Sequence, residues 1–260
     1  MLIGYFLSVV IGFTLGIFGG GGSILTVPVL VYIFHIPPVM ATAYSLFIVG
    51  ATSFVGAIPK YREHLINLKT GIQFGIPSII AIFSTRKWIV PAIPEIVFEA
   101  GFVLTKRELL LGLFALLMVI ASISMIRTKK KIASKSKHFS PPLIIIEGLL
   151  IGFLTGLVGA GGGFLIIPAL VFLTGLPFKT AVGTSLLIIA INSLIGFLGD
   201  LLNYEIEWRF LLSITALAII GIIAGNFLSR RILSQHLRKA FGWVTLLMGC
   251  WILLKEFILN

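Results

Sequence analysis

The chain is poor in charge, and poorest in acid. Of its 260 residues only 11% are charged, and Asp and Glu together number nine. A soluble domain carries about a quarter of its residues as charges, so this chain could not clothe a compact globule in polar surface. Cysteine is nearly absent. The single Cys250 rules out an intramolecular disulfide framework and a Cys-rich metal site, and its apolar neighbours predict a small packing residue. The four histidines, His35, His64, His138 and His236, fall at the ends of apolar segments and form no His-x-x-His or Glu-x-x-His pair, so no metal site is indicated. No Gly-x-x-x-x-Gly-Lys-Ser/Thr loop occurs, which removes ATP as a direct energy source. Nothing calls for a cofactor.

What the chain has instead is hydrocarbon. Apolar residues make up 58%, Phe alone numbers 21, and the mean hydropathy is +1.13. That content excludes disorder, and apolar runs that do not alternate exclude a β-barrel. At about 20 residues per span, the length holds eight spans joined by short loops. An all-α polytopic membrane protein follows. Met1–Tyr5 has neither a basic stretch nor a cleavage site, so the first span is expected to begin there. Twenty Lys and Arg give a net charge of +11. They lie between apolar runs, where they act as topology signals and contacts for anionic membrane lipids rather than for nucleic acid. A basic entrance also concentrates a small anion.

The chain is written twice. Ile11–Gly56 aligns with Ile151–Gly196 without a gap, matching Gly12, Gly16, Gly19, Gly21, Gly22, Pro28, Pro37, Ala41, Ser45, Ser53 and Gly56 with identical residues. Shared hydrophobicity would match Leu and Ile, not glycines and prolines at fixed places. Further on, Leu111–Met118 resembles Phe241–Met248 at a shorter offset, so the first half carries extra residues around Trp88–Leu104. Pro91, Pro94, Glu95 and Glu99 predict an interfacial loop or short helix there. The chain divides into a first transmembrane repeat over 1–127, a basic cytoplasmic linker over 128–141 and a second repeat over 142–260. Each half offers four apolar segments, roughly 2–34, 38–57, 68–84 and 108–126, then 143–174, 178–199, 209–228 and 239–258. The opening segment of each half is broken by a glycine run. If it crosses once, the cations show almost no bias between the faces. If it turns back, the two halves become inverted repeats and most cations gather with the linker. The inverted arrangement is the expectation.

The strongest constellation is Gly16-Ile17-Phe18-Gly19-Gly20-Gly21-Gly22-Ser23, followed by Pro28. Its twin is Gly156-Leu157-Val158-Gly159-Ala160-Gly161-Gly162-Gly163, followed by Pro168. Irregular backbone at membrane depth is tolerated only when buried in protein or lining a wet cavity. A helix resuming at Ser23 or Phe164 would aim free N–H groups and a partial positive charge at the break, which suits an anion. Paired breaks at matching places mark a transporter's central site. The alternative is close packing or a hinge, and packing is the role assigned to Gly12-x-x-x-Gly16, Gly152-x-x-x-Gly156 and Gly221-x-x-x-Gly225. On the following helices stand Thr42, Ser45, Thr52 and Ser53, and Thr184, Ser185, Asn192 and Ser193. Ser45 and Thr52 share a face, as do Ser185 and Asn192. Their donors suit an oxyanion, and interhelical hydrogen bonding is the plainer account. Of the ionisable residues, Glu147 is expected near the interface and Lys179 to snorkel from a helix start.

The Gly-x-x-Gly-x-Gly-Gly-x-x-Leu-x-x-Pro-x-Leu pattern at Gly16–Leu30 and Gly156–Leu170 resembles the sulfite exporter TauE/SafE family. Ala181-Val182-Gly183-Thr184-Ser185 is similar to that family's second signature, from which the first half departs at Tyr44. The resemblance implies a prokaryotic inner-membrane permease with about eight spans, associated with sulfite, sulfonates and related organic anions. The expectation is therefore a secondary transporter of a small sulfur-containing anion and not an enzyme. The substrate residues would be Gly19, Gly20, Gly21, Gly22, Ser23 and Ser45, with Gly159, Gly161, Gly162, Gly163, Thr184, Ser185 and Asn192. An anion channel is the nearest alternative. A membrane-embedded enzyme would need convergent acids or histidines that the spans lack, and a scaffold would pass no solute. Homo-oligomer formation stays open.

Overall fold

The computed structural model describes residues 2–99, 103–127, 141–229, 232 and 234–258, which form helices and one short strand pair joined by turns and short loops. The basic linker falls almost wholly on residues 128–140, outside the described residues.

Helix α1 (Leu2–Phe18) stops at the glycine run, where Gly19 takes a φ of +68°. The sequence suggested an unwound break with a helix resuming at Ser23. Instead Gly19–Leu25 winds into a 3-10 helix, and α2 (Thr26–Tyr32) resumes at Thr26. In the second half α7 (Pro141–Val158) is followed by left-handed Gly159, Gly161 and Gly162. Helix α8 (Gly163–Leu173) begins one residue before the expected Phe164. Only glycine enters that backbone region freely.

Both opening segments turn back. A β-carbon on Gly22 would strike Thr14 and Leu15 of α1, and one on Gly162 would strike Thr155 of α7. Tyr5 meets Phe34 edge to face, with ring centroids 6.0 Å apart. The outer ends of α1 and α2 therefore lie at the same end of the bundle, so this segment folds into a hairpin.

Helix α3 (Pro38–Arg62) then runs the length of the bundle. Helix α4 (Leu68–Ser84) continues through a π turn at Thr85–Ile89 into α5 (Val90–Ala92). The region expected as a loop or short helix forms an antiparallel pair, β1 (Ile96–Glu99) with β2 (Val103–Thr105). The apolar and β-branched residues Ile96-Val97-Phe98 and Val103-Leu104-Thr105 favour a pleated backbone. After them come α6 (Lys106–Arg127), α9 (Phe178–Leu201), α10 (Trp208–Ser229) and α11 (Ser234–Phe257). Helices α3, α6, α9, α10 and α11 are long and apolar enough to cross a membrane.

Small residues decide which helices touch. Helix α1 lies along α10, α4 along α7, α3 along α9, and α6 along α11. β-carbons on Gly12 and Gly16 would strike the α10 backbone at Ala218, Ile222 and Gly225. Those on Gly221 and Gly225 would strike the α1 backbone at Val9 and Phe13. Gly152 of α7 bears in the same way on the Ser78 backbone, and Gly156 bears on the Thr85 side chain. Without a hydrophobic drive between helices in lipid, such backbone contact is what holds the pairs. Cys250 is exposed, contrary to its expected packing role. It shares the outward face of α11 with Trp243, Leu247, Trp251 and Leu254, so its surroundings are those of a lipid-facing side chain.

The bundle has two ends. The linker end carries the α3–α4, α8–α9 and α10–α11 connections. The strand end carries β1–β2, the α2–α3 connection and the α9–α10 connection.

Candidate functional site

The two glycine tips meet inside the bundle. A β-carbon on Gly163 would occupy the carbonyl of Gly20, and one on Gly20 would come within 3.2 Å of the Gly163 Cα. Gly19, Gly20, Gly22, Gly159, Gly161, Gly162 and Gly163 are all buried, and Gly21 lies within the same 3-10 segment.

Two helices back onto the tips. On α3, Thr42 lies against Gly159 and Val49 against Gly161. Ser45, three residues from one and four from the other, shares that helix face. On α9, Val182 lies against Gly19, Ile189 against Gly20 and Gly161, and Ser193 against Gly161. Ser185 sits between Val182 and Ile189 on that face.

The predicted residues divide by their hydrogen bonding. Ser23 and Ser45 hold buried hydroxyls without a hydrogen-bond partner, as do Thr26, Ser53, Thr155 and Ser193. A buried polar group left unpaired costs about 1–3 kcal/mol, so six such hydroxyls are a large concession to something other than packing. Ser185 donates to the Val182 carbonyl at 2.8 Å. Asn192 Nδ2 donates to Ser78 Oγ at 2.6 Å, and its Oδ1 is unpaired. Thr184 lies toward the linker end, where its Oγ1 accepts the Asn67 amide N–H at 2.9 Å.

The Thr184 contact explains why the first half departs at Tyr44. Tyr44 is the alignment partner of Thr184, and Glu207 stands as far from Asn67 as Thr184 does from Tyr44. The Tyr44 hydroxyl accepts the Glu207 amide N–H at 3.0 Å. The same tie forms at the opposite end with a longer side chain.

Sequence reasoning missed one charged group. Arg86 and Asp200 are both fully buried, with Nη1 and Oδ2 3.4 Å apart. Nη1 also donates to Thr42 Oγ1 at 3.0 Å. Nε and Nη2 have no hydrogen-bond partner, and a β-carbon on Gly159 would collide with Nη2. The apolar segment read from the sequence ends at Ser84, ahead of Arg86. Comparing lengths was the available signal: carrying the offset of the repeat forward pairs Arg86 with Asn226, inside α10, and Asp200 with Lys60.

Both ends carry clefts. At the strand end one of about 560 Å³ is lined by His35, Met40, Tyr44, Glu205 and Glu207. At the linker end a cleft of about 340 Å³ is lined by Lys60, Lys179, Glu63, Ser229 and Val182, the last of which covers Gly19. Lys60 donates to Ser229 Oγ at 3.3 Å and stands 3.8 Å from Glu63. Toward the strand end the other tip is capped by buried Arg86, Thr42 and Asp200. Glu147 is half-buried on α7. Among the described residues, no three His, Cys, Asp or Glu gather as metal ligands.

Long apolar helices that pack by backbone contact define a multi-pass membrane protein, and its family is one of transporters. The chain belongs to the sulfite exporter TauE/SafE family, whose model matches residues 5–252. It is similar to a probable membrane transporter protein of Xylella fastidiosa strain 9a5c, 27% identical over 95% of this chain and 92% of that one. A probable membrane transporter protein of Methanocaldococcus jannaschii is 28% identical over 95% of each chain, and one of Bacillus subtilis 25% identical over 94% of each. No solved structure matches.

Proposed function

We propose that this transporter is a secondary carrier of a small sulfur-containing oxyanion, such as sulfite or a sulfonate, held where the glycine tips meet. One observation carries this: Gly20 and Gly163 touch inside the bundle, among buried hydroxyls with no partner. Helix α8 starts at that contact. Its first amide groups have no carbonyl within the helix, and the helix end is partially positive, so an anion is favoured there without a fixed charge. The 3-10 segment of the first tip offers fewer such amides, so the site is lopsided.

The halves act as inverted repeats in the inner membrane of a prokaryote. The pairing supports this. Under the offset of the repeat α1–α10 exchanges with α7–α4, while α3–α9 maps onto itself, and α6–α11 does so under the shorter offset of the later segments. The linker end is cytoplasmic, since cations favour that side. There Lys and Arg also meet anionic lipids.

Alternating access moves pairs drawn from both halves. Rocking one half against the other, the simplest scheme, would tear the glycine contacts of α1 with α10 and of α7 with α4. The α1–α10 pair and the α4–α7 pair are the natural rigid units. Buried side chains close both tips, Val182 over Gly19 at the linker end and Arg86 with Thr42 toward the strand end, which supports a carrier over an open channel.

The test is uptake into proteoliposomes of sulfite, thiosulfate, sulfate, sulfoacetate and taurine. Saturable, exchange-stimulated flux of at least one sulfur oxyanion is expected. Ohmic current would make it a channel, and no flux of any of the five would refute the proposal.

A further inference from the structure

The guanidinium of Arg86 is only half used. Its Nη1 is engaged by Thr42 Oγ1 at 3.0 Å and faces Asp200 Oδ2 at 3.4 Å. Nε and Nη2 are unpartnered, and the side chain is fully buried. Those two nitrogens form the side-on edge of the guanidinium, whose parallel N–H bonds match two oxygens of one oxyanion. Nη2 lies against Gly159, the first left-handed residue of the second tip.

Packing gives no reason for this arrangement. A structural buried arginine is expected to spend most of its five donors, and an ionised group at membrane depth is costly enough to mark function. Thr42 and Asp200 hold one corner of the group, and the unpartnered Nη2 is turned toward Gly159. A β-carbon at Gly159 would push the fork aside, so glycine there serves a charged neighbour as well as a turn.

We propose that the Nε–Nη2 edge of Arg86 binds the transported oxyanion side-on next to the second glycine tip, with Asp200 and Thr42 as positioning residues acting through Nη1. This rests on the carrier reading above and adds a charged ligand to it. The site selects anions that present two oxygens on one centre, which sulfite, sulfate and sulfonates do and a halide does not. Asp200 keeps the unloaded site near neutrality, so the anion is drawn by geometry more than by net charge.

The experiment measures sulfite and bromide binding by calorimetry on the purified full chain in detergent. Wild type is compared with Arg86→Lys and with the uncharged pair Arg86→Gln/Asp200→Asn. Lysine keeps the charge and loses the fork, so Arg86→Lys should bind sulfite at least about tenfold more weakly, as expected for loss of a bidentate contact. It should also lose the preference for sulfite over bromide. The double variant removes the charge without leaving a lone buried ion, and it should show no saturable sulfite binding while remaining monodisperse. Sulfite affinity within twofold of wild type in either folded variant overturns the inference and leaves the carrier standing. Wild-type protein that neither binds nor carries any of the five sulfur compounds overturns the carrier reading itself.

Discussion

Substituting Gly163 by Ala tests the meeting of the two tips. Gly163 opens α8 and its φ lies outside the left-handed region. On local grounds alanine should therefore help, by up to about 1 kcal/mol in a helix. The surroundings reverse the sign. The new methyl would overlap the Cα, carbonyl carbon and carbonyl oxygen of Gly20, which are backbone atoms with no rotamer to change. Overpacking of that kind costs about 1–3 kcal/mol, so a net loss of up to about 2 kcal/mol is expected once the helix gain is subtracted. Gly71→Ala and Gly75→Ala in α4 are the controls. Their methyls would meet only Thr184 Cγ2 at 3.6 Å and Ile188 Cγ1 at 4.0 Å, ordinary contact distances, so each should gain about 1 kcal/mol. Thermal unfolding in detergent, with sulfite counterflow measured on the same preparations, reads all three. A Gly163→Ala protein that melts at or above wild type and carries anion at full rate would refute the argument.

Three further outcomes are expected. Gly161→Val should abolish transport while the protein still inserts, because Gly161 has a φ of +66° and a β-carbon there would press on Val49, Ile189 and Ser193. Uptake at the wild-type rate would show that the tip geometry is irrelevant. Tyr44→Phe and Thr184→Val each remove the acceptor of one inter-half amide, at about 1 kcal/mol apiece. Because the two ties lie at opposite ends, their effects on unfolding should add, and strong coupling in the double variant would contradict that separation. Glu147→Gln should leave the rate and pH dependence of uptake unchanged, since the half-buried Glu147 touches neither tip. Loss of pH dependence would make it a proton site.

The all-helical, multi-pass class was legible in the long apolar runs and the scarcity of charge. One glycine run says little, whereas two runs in register with matching prolines favour a break over close packing or a hinge. The hairpin form of the opening segment could be argued from charge bias alone, and contact of Tyr5 with Phe34 bears directly on it. What stayed hidden depended on partners remote in sequence. Whether Gly19–Leu25 unwinds or tightens into a 3-10 helix is set by its contact with α1 and with the other tip. Arg86 escaped notice because the apolar segment ends at residue 84, and nothing local to Ser84-Thr85-Arg86-Lys87 says that the helix continues through a π turn. Tyr44 and Thr184 align in the repeat, but their shared role shows only in their amide donors, Glu207 and Asn67.

The pairing of α1 with α10 has a consequence for biogenesis. A ribosome delivers Gly12 and Gly16 long before Gly221 and Gly225, so for most of synthesis the first helix presents a bare, glycine-floored groove to lipid. Helix α4 waits far less, since α7 follows soon after. Nascent chains arrested before residue 208 should therefore hold α4 and α7 together while α1 remains loose and open to quality-control proteases. The last third of the polypeptide acts as the clasp for its beginning.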